Sequence, residues 1–400
     1  MKLSIWTHRE GEASEGSDAG ILRKVGLLAL VLIVLADGWA IWRLTHRHVS
    51  NPASSVIQGA PIVVITKGPY IQNLGRHSVT VMWETKTPSA SKLEYNTINS
   101  RESVIADARP VSIHAITINS LMPGTRYNYH VEGDARGGGT FVSAPDRPRS
   151  FRFDVYGDTR DNPRIHAEII QAMLTDSEGR PDFVVHTGDL VGDGIDVSQW
   201  GPQFFKPAQP LMSDIPLWPC LGNHERQSRY YFPLFSLPNN KQWYSFDYSF
   251  AHVIVLNTNT DFKPGSEQYN WLVKDLHEDK SRWTFVAFHN PPFSDGPHGN
   301  ETESRQAAKY LVPLFEKHKV DAVFSGHDHA YERGTRNGIV YIVTAGGGAP
   351  LYARKASYTS VITKYMKVHH YCTVDVGAQE LVIQAKGVDG TLIDMVRVTK

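Results

Sequence analysis

Residues 182–189 read DFVVHTGD, a short apolar run that ends in polar residues. Four further runs share this design: FRFDVYGD at 151–158, PLWPCLGN at 216–223, WTFVAFHN at 283–290 and DAVFSGHD at 321–328. Apolar runs of this length are typical of buried strands. Helix-like stretches lie between some of them, for example RIHAEIIQAML at 164–174. The alternation predicts an α/β layered domain over residues 151–400.

The residues that end these runs are of types that bind metal ions. In open α/β sheets, the loops beyond the carboxyl ends of the strands converge, and ligands bind there. Carboxylate, amide and imidazole groups together suit Zn, Mn or Fe better than a metal that prefers thiolates. We therefore expect one metal site at this edge. Its candidate ligands are Asp158, Asp189, Asn223, His289, His327 and His329.

The order of the motifs is GD, GD, GNHE, a strand that ends in His, and GHDH. This order resembles the calcineurin-like metallophosphoesterase superfamily, and its purple acid phosphatase branch most closely. The resemblance implies a layered β-sandwich flanked by helices and a centre of two divalent metal ions, Mn, Zn or Fe. In that centre Asp189 would bridge both ions, and Asp158 and His329 would bind the first. The second ion would be bound by Asn223, His289 and His327.

The activity that this resemblance implies is hydrolysis of phosphate esters by attack of a metal-bound hydroxide on phosphorus. His224 matches the family histidine that contacts phosphate and protonates the leaving oxygen, or it is a structural histidine beside the ligands. His298, in the loop SDGPHGNE, either contacts substrate or is a plain exposed histidine. A phosphomonoesterase is the first expectation. The alternatives are a phosphodiesterase for cyclic nucleotides or lipid headgroups, and a catalytically silent envelope binding protein.

Two positions depart from the family pattern. Purple acid phosphatases carry a tyrosine three residues beyond the bridging Asp, and here that residue is Gly192. Other superfamily members place a histidine two residues after the first Asp, and here that residue is Arg160. Without a phenolate ligand we expect a divalent metal pair and no intense visible charge-transfer band in the purified protein. Arg160 either binds two phosphoryl oxygens with its planar fork or pairs with Asp161, Asp193 or another carboxylate.

The beginning of the chain carries a long apolar stretch. Residues 25–42 read VGLLALVLIVLADGWAIW, and a helix of that length spans about 27 Å, close to the thickness of a hydrocarbon core. Arg23 and Lys24 favour a cytoplasmic position for residues 1–24. A cleaved signal sequence is the alternative. Both interpretations place the rest of the chain outside the cytoplasm, either anchored to the membrane or exported.

A second folded module is predicted between this stretch and the α/β domain. Residues 43–60 are polar and suit a linker, whereas residues 61–143 contain short alternating runs separated by turn residues, as in an all-β sandwich. This part resembles the fibronectin type III module that precedes purple acid phosphatase catalytic domains. In that resemblance, Trp83 belongs to the core and Tyr127 is the corner tyrosine. The Pro-rich residues 144–150 would link the two domains.

Composition narrows the remaining classes of function. Lys plus Arg and Asp plus Glu both number 41, so the formal charge is zero and no broad basic surface for nucleic acid is expected. The two cysteines, Cys220 and Cys372, exclude a zinc-finger array and a disulfide framework. Both lie in strand-like runs, and we expect two separate buried thiols. We also expect His186, inside an apolar strand, to be a hydrogen-bonded core group.

Overall fold

The computed structural model describes residues 63–400 of the chain. Residues 25–42, the predicted anchor or signal sequence, lie outside this part. Within residues 63–400, none of the helices combines the length and the apolar character that crossing a membrane requires. Residues 63–400 belong to one compact unit.

The first group of strands is β1 Ile65–Gln72, β2 Ser78–Asn96, β3 Ser103–Asn119, β4 Arg126–Val131 and β5 Gly139–Val142. The next are β6 Phe151–Tyr156, β7 Phe183–His186, β8 Leu217–Pro219, β9 Tyr244–Tyr248, β10 Ala251–Val255, β11 Trp283–Ala287 and β12 Ala322–Ser325. The last are β13 Tyr331–Arg336, β14 Ile339–Thr344, β15 Ile362–Met366, β16 His370–Val376, β17 Glu380–Gly387 and β18 Leu392–Thr399.

The α-helices lie between these strands. They are α1 Pro163–Leu174, α2 Val197–Gln199, α3 Lys206–Met212, α4 Tyr231–Leu234, α5 Glu267–Glu278, α6 Thr302–Gln306 and α7 Val312–His318. Two π-helical turns join neighbouring helices: Trp200–Phe205 connects α2 to α3, and Ala307–Leu311 connects α6 to α7.

The strands β1 to β5 pair antiparallel and enclose a core of their own. Trp83 is buried in this module and stacks on His114, with ring centroids 4.7 Å apart. The hydroxyl of Tyr127 accepts a hydrogen bond of 2.9 Å from the backbone N–H of Met122, which is the contact that a corner tyrosine makes. That the module is of the fibronectin type III family stays a prediction.

The module packs directly against the α/β domain through β1. The ring of Tyr70 lies 5.1 Å from that of Phe205, and its hydroxyl donates a hydrogen bond of 2.6 Å to the carbonyl of Leu234. Gln72 likewise donates to the carbonyl of Leu217 at 3.0 Å. Buried aromatic and polar contacts therefore join the two parts, in addition to the connecting residues 144–150.

The α/β domain consists of two stacked sheets. One has the strand order β15-β13-β14-β12-β11-β10-β9, and the other has the order β18-β17-β16-β6-β7-β8. The sheets meet through aromatic rings, because Phe153 lies 5.1 Å from Phe285 and 6.1 Å from Phe324. Helices add apolar side chains to the outer faces, such as Leu272 of α5. The predicted layered β-sandwich flanked by helices is confirmed.

Prolines explain why two helices contain π-helical turns. Pro207 has no N–H, so the carbonyl of Gln203 loses its usual helical partner. The buried ring of His166 on α1 lies 3.1 Å from that carbonyl and takes the place of the missing donor. Pro313 has the same effect after Ala307–Leu311, and the chain nevertheless stays helical from α6 to α7.

Smaller sequence predictions about buried groups are also confirmed. Cys220 and Cys372 are both free and buried. His186 is fully buried, and its Nε2 lies 3.1 Å from the hydroxyl of Thr159. These groups belong to the packed interior.

Strand register brings the candidate ligands to one place. Tyr156, His186 and Pro219 are in register across the parallel strands β6, β7 and β8, and Ala287 is in register with Phe324 across β11 and β12. Strands that end level deliver their loops to the same edge of a sheet. The loops after these five strands carry Asp158, Asp189, Asn223, His289 and His327.

His252 in β10 lies between two carboxylates. Its Nδ1 is 2.7 Å from Asp247 Oδ1, and its Nε2 is 2.9 Å from Asp275 Oδ2. Burial opposes the charged imidazole, but the hydrogen bonds to the two carboxylates outweigh burial and raise the pKa of His252 to about 10. The charged group thereby connects β9, β10 and α5.

The substitution His252→Gln should lower the free energy of unfolding at pH 6 by about 1–2 kcal/mol. This value is in the lower part of the range for hydrogen bonds to charged groups, because Asp247 is exposed. Because the folded pKa lies above the unfolded one, this stabilisation is complete below the unfolded pKa and is lost as pH rises through about 10. Urea unfolding from pH 6 to pH 10 should show that the difference in unfolding free energy between the variant and the wild type decreases as the pH rises. The exposed His277→Gln on α5 is the control, and a gap that stays constant with pH would contradict the assignment.

Candidate active site

Three of the candidate ligands occupy left-handed backbone. The φ angles are 58° at Asp158, 58° at Asp189 and 73° at His327. For residues other than glycine, this conformation costs on the order of 1–3 kcal/mol, and such residues cluster at functional sites. The backbone at this edge of the sheets is thus held in a conformation that aims side chains into a common space.

Glycine precedes the ligands where two loops approach closely. A Cβ at Gly222 would lie 2.1 Å from Asp189 Oδ1, and a Cβ at Gly326 would lie 2.5 Å from Asp158 Oδ2. Both distances are far below van der Waals contact. The glycines of the GNHE and GHDH motifs therefore allow these backbones to reach the carboxylates.

The six candidate ligands form two groups that share the carboxylate of Asp189. Within each group, the ligating atoms lie within 4.8 Å of one another. Asn223 adjoins one group, with its Oδ1 2.9 Å from His289 Nε2. The two groups are Asp189 with His289 and His327, and Asp189 with Asp158 and His329.

The histidines present the form of imidazole that binds metals. Burial lowers the pKa of His327 to about 4 and that of His329 to about 3, so both rings are neutral near pH 7. His289 Nδ1 lies 2.9 Å from the carbonyl of Thr187, and His329 Nδ1 lies 2.8 Å from the carbonyl of Pro350. These carbonyls fix the ring tautomers and leave Nε2 facing the site.

Adjacent buried carboxylates are a further sign of a cation site. Burial and the negative charge of Asp189 raise the pKa of Asp158 well above its usual range. Both side chains are almost completely inaccessible to water. A divalent cation would offset the repulsion between these carboxylates and keep them ionised. The residues present therefore fit two divalent metal ions.

Arg160 lies beside the group that contains Asp158. Its Nε is 3.4 Å from Asp189 Oδ2, and its Nη2 is 3.4 Å from His329 Nε2. Its other terminal nitrogen pairs with the carboxylate of Asp161. Arg160 therefore forms the ion pair with Asp161 that the sequence suggested as an alternative to phosphate binding. Its guanidinium also faces the candidate ligands.

His224 is hydrogen-bonded to Gly192, the position where the family pattern has a tyrosine. Its Nδ1 is 2.5 Å from the carbonyl of Gly192, and its backbone N–H donates to Asp189 Oδ1 at 3.0 Å. The Nε2 of His224 lies 3.9 Å from Asp189 Oδ2. The ring is thus about one third exposed at the edge of the ligand groups, with Nε2 on their side.

His298 is tied to the ligand groups through Glu301, a residue that sequence reasoning did not identify. Its Nδ1 is 2.7 Å from Glu301 Oε1, and Glu301 Oε2 is 3.1 Å from His327 Nε2. The ring of His298 lies 4.5 Å from that of His327. His298 is therefore not a plain exposed histidine. In the sequence, the position of Glu301 three residues after His298 is the feature that could have indicated this contact.

Glu225, the last residue of GNHE, is the other site residue that sequence reasoning missed. Its buried carboxylate accepts hydrogen bonds from the backbone N–H groups of Asp189 at 2.9 Å, Leu190 at 2.8 Å and Gly222 at 2.7 Å. Burial and the charge of Asp189 raise its pKa to about 8, although these N–H groups act in the opposite direction. Glu225 therefore holds together the loops that carry Asp189 and Asn223.

Comparisons with known proteins agree with this geometry. Residues 151–331 match the family model described as calcineurin-like phosphoesterase, and this range includes all six candidate ligands. The chain is 28% identical over 372 residues to probable purple acid phosphatase 20 of Arabidopsis thaliana, a match that covers 82% of this chain and 84% of that protein. Residues 151–331 form a calcineurin-like phosphoesterase domain, and the chain is similar to purple acid phosphatases.

Two further comparisons extend beyond the matched domain. The phosphoesterase is 27% identical to acid phosphatase type 7 of Mus musculus, over 70% of this chain and 74% of that protein. Its fold is similar to purple acid phosphatase PPD1 from yellow lupin seeds, with a TM-score of 0.71 and 20% identity over 83% of this chain and 74% of that one. Together with the family match, the curated acid phosphatase relatives identify a metal-dependent phosphatase.

The substitution Glu225→Gln should weaken metal binding by this phosphoesterase about 10- to 100-fold, the range for groups that orient ligands. The new amide NH₂ would face backbone N–H donors, and the loop carrying Asp189 would shift. Calorimetric titration of the metal-free chain with Mn²⁺ measures the affinity, and urea unfolding separates this effect from general destabilisation. The exposed Glu278→Gln is the matched control. An unchanged affinity would contradict the positioning role.

Proposed function

We propose that this phosphoesterase hydrolyses phosphate monoesters at a centre of two divalent metal ions, Mn, Zn or Fe. The observation that carries the proposal is the Asp189 carboxylate, which both ligand groups share. When bound, the ions would supply Lewis acidity toward the phosphoryl oxygens and lower the pKa of a water molecule for attack on phosphorus. Relatives that are named acid phosphatases support a monoester over a diester substrate.

The candidate ligands divide into two sets, one for each ion. Asp158 and His329 would hold the first ion together with Asp189. Because Gly192 has no side chain, the position that carries the family tyrosine supplies no phenolate to this ion, which favours a divalent pair over one that includes ferric iron. The second ion would be held by Asp189, Asn223, His289 and His327.

His224 is proposed as the general acid for the leaving oxygen. Its Nδ1–H donates to the carbonyl of Gly192, which orients the ring and leaves Nε2 on the side of the ligands. A proton on Nε2 can then pass to the departing alkoxide, the step that an alkyl phosphate needs most.

Arg160 and His298 are proposed to contact the phosphate group of the substrate. The guanidinium of Arg160 is mostly buried and lies beside both Asp189 and His329. Its planar fork can bind two phosphoryl oxygens at once. His298 is held at the other side by the hydrogen bond from its Nδ1 to Glu301, and its ring lies beside that of His327. Its Nε2 is therefore available to a substrate oxygen.

The test of the proposed function is an assay of the full chain with matched chromogenic monoesters and diesters, with Mn, Zn or Fe supplied and bound metal counted. The expected result is two ions per chain and faster monoester turnover. Faster diester turnover would indicate a phosphodiesterase. Two bound ions without turnover of any ester would indicate a binding protein and would contradict the proposal.

The substitution His224→Ala should reduce kcat/KM for an alkyl phosphate about 100-fold, within the range for loss of a general acid. The loss for p-nitrophenyl phosphate should be smaller, because nitrophenolate leaves without needing a proton. His277→Ala on the surface is the control. Equal losses for both substrates would argue that His224 serves only to hold the loop.

The substitution Arg160→Ala should lower kcat/KM for monoesters about 10- to 100-fold, as expected for loss of hydrogen bonds to a charged group. Arg160→Lys should recover part of this loss, because an ammonium supplies charge without the fork. Asp161→Asn removes only the ion pair and serves as the comparison. Unaltered efficiency in Arg160→Ala would remove the phosphate role.

We also propose that the enzyme works outside the cytoplasm, anchored by residues 25–42 or exported by their cleavage. The support is the length and apolar character of that stretch, with Arg23 and Lys24 before it. Protease added to intact protoplasts that make the anchored form should digest the catalytic domain. Complete protection until the membrane is permeabilised would contradict this location.

A further inference from the structure

A polar cavity with a volume of about 570 Å³ opens beside Asn223 and His327. Its walls come from the loops after β8, β10 and β11 and from the region of α6. Apart from Gly222 and the ring of His327, every lining side chain ends in an amide, a hydroxyl, a carboxylate or a guanidinium. A group bound at the metal ligands would therefore extend into surroundings that offer hydrogen bonds and very little apolar surface.

The amides of this cavity are held in fixed orientations. Asn290 is only 3% exposed, and its Oδ1 accepts a hydrogen bond of 2.8 Å from the hydroxyl of Thr258. Within residues 63–400, its Nδ2 makes no hydrogen bond and remains available to a ligand in the cavity. Asn259 donates from Nδ2 to the carbonyl of Leu221 at 2.8 Å, which leaves its Oδ1 as an acceptor.

A buried side chain behind the wall stabilises this arrangement. Asn257 is completely buried and donates from Nδ2 to Gln227 Oε1 at 3.3 Å. Its Oδ1 accepts the backbone N–H of Asn259 at 3.0 Å. Because the amides are already ordered, a ligand that matches them loses little free energy in fixing their rotamers.

The charges of the cavity disfavour an anionic occupant. Glu301 and Glu303 contribute two carboxylates to its lining. The guanidinium of Arg226 also lines it, but this group already pairs with Asp193 at 3.2 Å. A second phosphate or a carboxylate on the substrate would meet these acidic residues without a free cation among the lining side chains that the structure describes.

We propose that this cavity binds the alcohol part of the substrate, and that this alcohol is uncharged and carries several hydroxyl groups, as in a sugar phosphate. The inference rests on the proposed phosphomonoesterase function and names its substrate class. An aryl group or an acyl chain would exclude water from the amides of Asn290 and Asn259 without replacing its hydrogen bonds, which is unfavourable. Hydroxyl groups can both donate and accept, so they match both kinds of free amide atom.

The test compares kcat/KM of the metal-replete full chain for glucose 6-phosphate and for phenyl phosphate. Both esters present the same phosphate group, and phenolate is the better leaving group. The wild type should nevertheless favour glucose 6-phosphate, and pyrophosphate, with its anionic leaving group, should be a poorer substrate than the sugar ester. A wild-type ratio of sugar ester to phenyl ester below one would contradict the inference.

Substitutions in the wall connect this ratio to the cavity. Asn290→Ala and, independently, Asn259→Ala should each reduce the ratio about five- to tenfold, as expected when one substrate hydroxyl loses its partner. Asn270→Ala, an exposed amide on α5, should leave the ratio unchanged. Urea unfolding verifies that each variant is folded. If one of the two wall variants does not fold, the other still tests the inference.

The possible failures are distinguishable. Turnover of phenyl phosphate with a ratio that neither wall variant changes would overturn the inference and leave the proposed function intact. Absence of turnover for every ester, with two ions bound, would contradict the proposed function and the inference together.

Discussion

The two oxygens of the Asp189 carboxylate face different neighbours, and the rest of the site depends on this arrangement. Oδ1 accepts the backbone N–H of His224 at 3.0 Å and lies 3.4 Å from His289 Nε2. Oδ2 faces Arg160, with Nε 3.4 Å away. A buried carboxylate is costly unless cations or hydrogen-bond donors surround it. Here the donors and imidazoles lie on both sides, so one side chain can serve two cation sites.

Several features of the fold hold this carboxylate in position, some through local contacts and some through the packing of distant strands. Strand register sets β6, β7 and β8 level, and glycines at 222 and 326 let the loops close on the carboxylates. Glu225 then connects the loops that follow β7 and β8 through backbone N–H groups. The contacts between Phe153 and Phe285 join the two sheets, so ligands from both arrive at one edge. Together these constraints hold the ligands within the narrow geometry that a metal centre requires.

Strands and ligands could be predicted from the sequence because their signals are local. Each apolar run ends at a polar residue, which marks the end of a strand and a candidate ligand. The order of the GNHE and GHDH motifs then indicates the role of these residues in metal binding. Glu225 and Glu301 could not be assigned, because they act on groups that only the tertiary structure brings near. The packing of Tyr70 against Phe205 was not predicted for the same reason. The anchor at residues 25–42 and the family of the first module stay predictions.

The most direct test of the shared carboxylate is a calorimetric titration of the metal-free chain with Mn²⁺, repeated for Asp189→Asn, Asp158→Asn and Asn223→Ala. The account predicts two binding events in the wild type, loss of one event in Asp158→Asn, and loss of the other in Asn223→Ala. Asp189→Asn should weaken both. Two undiminished events in Asp189→Asn, or a single event in the wild type, would contradict a centre in which Asp189 serves both ions.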